Sequence, residues 1–262
     1  MKPLPAAAGF VRKTLTTAEL EVRKIRHEPV ELLTRAVQPA LWLVVFGQVV
    51  ARANAIPTGN LSYLAFLAPG VLAQSVLFVS IFYGIAIIWE RDLGTVQKLI
   101  VSPTPRAALV LGKALSAGVR GLSQAVVIYL LSLLLGIELY LNPLYLLGVI
   151  LALVLGATIF ATFSLIIATL VRTREAFLGI GQVLTLPLFF ASNAIYPIIF
   201  MPRWLQVVAL LNPLTYMVDA LRTLMVVVGA SAFRLGIDFA VLLGVSVVLV
   251  LVGGRLYPRV AM

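Results

Sequence analysis

The stretch Glu90-Arg91-Asp92-Leu93-Gly94-Thr95-Val96-Gln97-Lys98-Leu99-Ile100-Val101-Ser102-Pro103-Thr104-Pro105-Arg106 decides how the chain must be arranged. It is a polar island between two long apolar runs, one leading in from Leu61 and one leaving after Ala107. A charge at the bilayer centre costs about 2.5–3.5 kcal/mol even on insertion scales, so the island belongs outside the hydrocarbon. Leu93, Val96, Leu99 and Ile100 share one helical face, and Arg91, Gln97 and Lys98 fall elsewhere. The pattern predicts a short amphipathic helix on a membrane surface, stopped by Pro103 and Pro105. A solvated loop joining two spans fits the same residues.

The composition agrees with a membrane setting. The 262 residues are 61% hydrophobic and only 11% charged, with mean hydropathy +1.08; a soluble domain carries about 25% charged residues. The predicted fold class is an all-α integral membrane protein forming one transmembrane domain over residues 1–262. The net charge of +10 resides mostly in loops, as positive-inside topology requires. No basic patch is interleaved with aromatic residues, which argues against nucleic acid as a partner. Cysteine is absent, and a single histidine, His27, with few carboxylates gives no catalytic or metal cluster in the sequence.

Before the first span, Phe10, Leu15, Leu20, Val22 and Ile25 interleave with charges, and Pro29 interrupts. Residues 10–31 read as an interfacial helix, or else as a basic tail, and not as a cleavable signal peptide. Apolar runs then predict six spans, near 32–51, 61–89, 109–136, 144–171, 176–195 and 237–256. Arg120 is the one cation placed inside a span. No carboxylate falls in a confident span on this reading. Residues 202–230 fit a re-entrant outer hairpin better than a seventh span: Trp204–Leu211 is too short, Pro213–Val228 carries Asp219 and Arg222, and Asn212-Pro213 separates them. About 15 of the 20 cations then lie on one side and four on the other. That places both termini and both polar islands, the second being Arg172-Thr173-Arg174-Glu175, in the cytoplasm of a multi-pass plasma (inner) membrane protein.

Three groups of residues, in this order, resemble the type-2 ABC exporter permease family, most nearly its drug and small-amphiphile branch. Arg26-His27-Glu28-Pro29 with Gln38-Pro39-Ala40-Leu41-Trp42 is similar to the family's start. Glu90–Thr95 with Ser102-Pro103 and Leu111-Gly112-Lys113 is similar to its first cytoplasmic loop. Asn212-Pro213-Leu214-Thr215-Tyr216 with Asp219-Ala220-Leu221-Arg222 is similar to its outer segment before the last span. The resemblance implies six spans and a permease dimer, or a pair of related permeases, bound to two copies of a cytoplasmic ABC ATPase. It implies that the loop at 90–106 carries a coupling helix. Carried over residue by residue, Glu90, Arg91, Asp92, Gly94, Thr95, Lys98 and Leu99 would contact the ATPase, with Arg172, Arg174 and Glu175 as a second contact. Asn212, Pro213, Tyr216, Asp219 and Arg222 would form an outer-gate hairpin. The chain itself is not expected to be an enzyme. It lacks a Gly-x-x-x-x-Gly-Lys-Ser/Thr phosphate loop, so ATP and Mg would be bound by the partner and no cofactor by this chain.

The substrate class implied is an amphipathic drug-like molecule, lipid or natural product leaving the cytoplasm or inner leaflet. A lipid-linked polysaccharide is the alternative within the family. Phe78, Phe82, Phe189 and Asn193 are candidates for the substrate path, with membrane lipids as neighbours; packing or lipid-facing roles suit the aromatics equally. Outside the family, an ion-coupled carrier or channel would show acidic or broken-helix ion sites at mid-membrane. An intramembrane enzyme would need a polar catalytic set within the spans.

Overall fold

A computed structural model describes residues 37–92, 106–171, 173–229 and 231–256. The interfacial helix expected at 10–31 and the centre of the 90–106 loop lie outside the described residues. Regular structure among the described residues is helical, apart from one isolated bridge between Leu139 and Val226. The helices are α1 (Val37–Ala53), α2 (Tyr63–Asp92), α3 (Arg106–Leu134), α4 (Pro143–Leu170), α5 (Arg174–Phe190), α6 (Arg203–Leu211), α7 (Pro213–Met225) and α8 (Leu235–Leu256). Four of them, α2, α3, α4 and α8, are long and apolar enough to cross a membrane; α6 with α7 would make a fifth if counted as one bent span. Each of the six stretches read as spans holds a helix, and the helices at the first and fifth, α1 and α5, are shorter than those four.

Helix α2 is the centre of the bundle, packed against α3, α4, α5, α7 and α1. Its 30 residues rise about 1.5 Å each, giving roughly 45 Å. It runs through Pro69 as one helix. At Gly70 the backbone passes so close to Ala194 that a side chain would land on the Ala194 carbonyl. Gly84 makes a similar crossing against Ser164 and Phe177, where the Ser164 hydroxyl donates to the Ile81 carbonyl. Small residues of this kind let helix backbones approach where lipid supplies no hydrophobic drive for packing. Gly148 and Gly156 of α4 do the same for Leu224 and Met217 of α7.

Local chemistry sets the helix ends. Asn142 caps α4, its side chain accepting from the Leu144 amide at 3.0 Å with Pro143 in the first turn. Thr173 caps α5 by accepting from Ala176 N at 3.2 Å. Asn54 closes α1 in the left-handed conformation, φ 46°, which Asn tolerates. Within α1, Trp42–Phe46 is a π-helical turn in which the Gly47 amide reaches back to the Trp42 carbonyl.

Three expected boundaries are corrected. Glu90, Arg91 and Asp92 continue α2 and do not begin a separate helix, because no Gly or Pro stands between Gly84 and Asp92 to stop it. The fifth helix ends at Phe190 and not near Ile195. The carbonyls at a helix end have no intrahelical donor, and the Asn212 side chain donates to those of Leu188 and Ala191 at 2.7 and 2.8 Å. The last helix starts at Leu235, two residues before the expected 237, and Asp238, inside the expected span as well, lies in its first turn, fully buried; the reading that no confident span holds a carboxylate fails there.

Gly70→Ala is expected to lower unfolding stability by about 1–3 kcal/mol through overpacking against Ala194, read as the denaturation midpoint in detergent micelles. Gly244→Ala, which meets nothing within 4 Å, should leave it unchanged or slightly raised.

Candidate functional site

Among the described residues, those singled out for coupling and for the outer segment lie toward the two ends of α2, and Phe78 and Phe82 lie between them. At its C-terminal end, Arg174 at the start of α5 lies over the Trp89 ring, 4.3 Å from the centroid, next to Glu90. Trp89, at the head of the first polar island, and Arg174, in the second, are 85 residues apart in sequence and meet here. Glu175 is exposed beside Arg174. Glu90, Arg91 and Asp92 are placed there by the α2 backbone. Gly94, Thr95, Lys98, Leu99 and Arg172 lie outside the described residues.

At the N-terminal end, α7 carries a polar face into the apolar core. Arg222 is 5% exposed. Its guanidinium Nη2 donates to the Asn193 carbonyl at 2.7 Å and to the Phe66 carbonyl at 3.3 Å, with Nε 3.4 Å from the same Phe66 oxygen. The Phe66 ring lies 3.7 Å from the guanidinium carbon. A buried cation without partners would be strongly unfavourable; two carbonyls and a ring face compensate it from α2 and the turn after α5.

Asp219 is one turn before Arg222 on the same helix. Its carboxylate accepts from the Ser231 hydroxyl at 2.7 Å and from the Ala232 and Phe233 amides at 2.9 and 3.2 Å. Ser231 also reaches Asp238 of α8, 3.4 Å away. One face of α7 therefore fastens α2, the turn after α5, and the loop into α8. Nearby, the Tyr63 hydroxyl donates to Ile195 O at 3.2 Å. The Tyr140 amide donates to Met225 O at 2.9 Å, tying the α3–α4 loop to the end of α7. A cavity of about 660 Å³ opens beside the cluster, lined by Phe66, Asn193, Asp219, Arg222 and Ser231 among others.

The stretch 202–230 holds α6 and α7, bent by 79° at the break between them. Asn212 both caps α7, accepting from Leu214 N at 3.0 Å, and clamps the end of α5. Its arms differ: α7 is buried through Leu214, Met217, Val218, Leu221 and Met225, whereas α6 exposes Trp204, Val207 and Leu211. Tyr216 donates to Leu210 O at 2.8 Å across the bend and packs on Phe233.

Of the substrate-path candidates, Phe78 and Phe82 stack at 5.1 Å on α2. Phe189 is fully buried against Trp42, 5.7 Å away, and Asn193 belongs to the Arg222 cluster. Phe66 belonged to the aromatics read as candidates for the substrate path, and its place against Arg222 was not foreseen; sequence reading missed Ser231 and Asp238. Asp238 had a signal, an acid at the head of a long apolar run; Ser231 had none. Among the described residues no group of three His, Cys, Asp or Glu side chains is placed to hold a metal ion.

A bundle of apolar helices joined by polar loops is a multi-pass membrane protein. Residues 13–226 match the family described as ABC-2 type transporter, and the chain belongs to that family: it is a transport permease component, a role that is not itself catalytic. It is 30% identical over 264 residues to a protein named as a transport permease, ycf38, of Cyanophora paradoxa, covering 96% of this chain and 89% of the relative. It is 26% identical over 221 residues to the daunorubicin resistance ABC transporter permease protein DrrB1 of Streptomyces coeruleorubidus, covering 84% and 77%. It is 26% identical over 204 residues to nodulation protein J of Rhizobium meliloti (strain 1021), covering 77% and 74%.

Arg222→Ala is expected to cost on the order of 3 kcal/mol, since it leaves the Phe66 and Asn193 carbonyls buried and unpaired. Arg222→Lys should recover only part of this, because an ammonium lacks the planar fork. Denaturation midpoints of the two variants check the order; equal midpoints for all three proteins would remove Arg222 from this role.

Proposed function

We propose that the chain is the membrane subunit of an ATP-driven exporter, moving an amphipathic drug-like, lipid or natural-product substrate out of the cytoplasm or inner leaflet. In this reading it crosses the plasma (inner) membrane six times with both termini in the cytoplasm. Two permeases, identical or related, bind two copies of a separate ABC ATPase, which holds the ATP and Mg. The segment 90–106 couples them, with Glu90, Arg91, Asp92, Gly94, Thr95, Lys98 and Leu99 against the ATPase and Arg172, Arg174 and Glu175 as a second contact.

The observation that carries this reading is the meeting of Trp89 and Arg174 at 4.3 Å. It supports a single cytoplasmic face built from both polar islands, at the end of the most buried helix. A rigid α2 joins that face to the Asp219–Arg222 cluster, so force applied at one end is transmitted along packed backbone to the other. The 79° bend at Asn212 and the one-sided burial of α7 support a hairpin that enters the outer half of the membrane and returns, with Asn212, Pro213, Tyr216, Asp219 and Arg222 at an outer gate. The name of one relative, a daunorubicin resistance permease protein, supports a drug-like small molecule over a polymer.

Val96→Pro or Glu90→Ala should abolish substrate-stimulated ATP hydrolysis by the reconstituted complex while leaving membrane insertion intact. Normal stimulation in both variants would overturn the coupling assignment.

A further inference from the structure

A groove of about 320 Å³ lies on α2 between α1 and α3. Its lining joins three carboxamides from three different helices, Gln38, Gln74 and Gln124, with Ser75 and the stacked pair Phe78 and Phe82. Gln74 and Gln124 sit about midway along their helices, in the part of each span farthest from water. Gln124 is 1% exposed, and its Oε1 finds no hydrogen-bond partner among the described residues. A carboxamide oxygen buried in this way costs about 1–3 kcal/mol, and an apolar residue would fill the same space without that cost. Each carboxamide offers two donors and an acceptor. The groove therefore presents hydrogen-bonding groups of both kinds from three helices, together with two phenyl rings that follow Gln74 along one face of α2.

Among the described residues the lining holds no ionised side chain, so it offers a charged guest no counter-ion and a neutral one a full set of hydrogen-bonding groups. Val37 and Leu41, which flank Gln38 along α1, are both 56% exposed, giving the rim an apolar approach suited to a molecule arriving from lipid. The volume is that of a small-molecule site.

We propose that this groove binds an uncharged amphiphile, a flat ring system carrying hydroxyl or carbonyl groups, with Gln74 and Gln124 as its polar contacts and Phe78 and Phe82 as its ring contacts. The proposal rests on the export reading above and narrows its substrate class to neutral molecules.

The test uses the full-length permease in lipid nanodiscs, without ATPase or nucleotide, and two tritiated probes of similar size: prednisolone, neutral with hydroxyl and carbonyl groups, and tetraphenylphosphonium, a cation. Prednisolone should bind saturably above empty nanodiscs, and tetraphenylphosphonium should not displace it. Gln124→Leu should weaken prednisolone about tenfold while its unfolding midpoint holds or rises, and Phe78→Ala should weaken it several-fold. Absence of saturable binding, unchanged affinity in Gln124→Leu, or equal competition by the cation would overturn the proposal. Because no ATPase is present, loss of the coupling assignment would leave these results unaffected, and loss of the groove would leave the coupling assignment standing.

Discussion

The guanidinium of Arg222 is the interaction on which the end of the bundle around the first turn of α2 depends. In an apolar interior a charged group persists only where fixed dipoles replace water around it. Here those dipoles are the carbonyls of Phe66 and Asn193, one from the first turn of α2 and one from the turn that follows α5. Asp219, on the same face of α7, takes the opposite set of groups, the hydroxyl and amides of residues 231–233. A 13-residue helix thereby holds three separate segments by charge-assisted hydrogen bonds, which are short-ranged and directional where lipid-like packing is neither.

The rest of the architecture follows from having one helix that cannot move alone. Backbone contacts at Gly70 and Gly84 leave no slack between α2 and its neighbours, and close-packed interiors shift between discrete arrangements more readily than they deform. The face marked by Trp89 and Arg174 and the cluster around Arg222 are the two ends of that one element. The amide-lined groove lies between them, against the same helix. In the proposed reading these three parts stand in mechanical series: a place to receive work, a place to hold cargo and a place to open.

Much of this was legible in the residues, and what was not has a physical reason. Asn212-Pro213 announced a break because Asn caps and Pro cannot continue a helix, and the chain bends there by 79°. Apolar runs marked where helices lie. They did not mark where α5 stops, because hydropathy continues past Phe190 while the backbone hydrogen bonds do not. Arg222 and Asp219 were visible as charges in an apolar context, but their partners are backbone groups, up to 156 residues away, and backbone carbonyls leave no trace in sequence. The three glutamines fall in three different spans, and strongly apolar helices show too little amphipathic pattern to say which faces converge. Asp238 went unread because it sits at a boundary, where an acid passes for a loop residue.

The central claim is that this permease is driven by a separate ATPase through the segment following α2. Co-purification of the chain with an ATPase subunit, followed by ATP hydrolysis in lipid nanodiscs against a panel of neutral amphiphiles, cationic drugs, lipids and lipid-linked glycans, tests it most directly. The account predicts a stable complex whose hydrolysis is stimulated by neutral amphiphiles. Failure of any ATPase to associate would contradict it and return the chain to the reading of an ion-coupled carrier or channel.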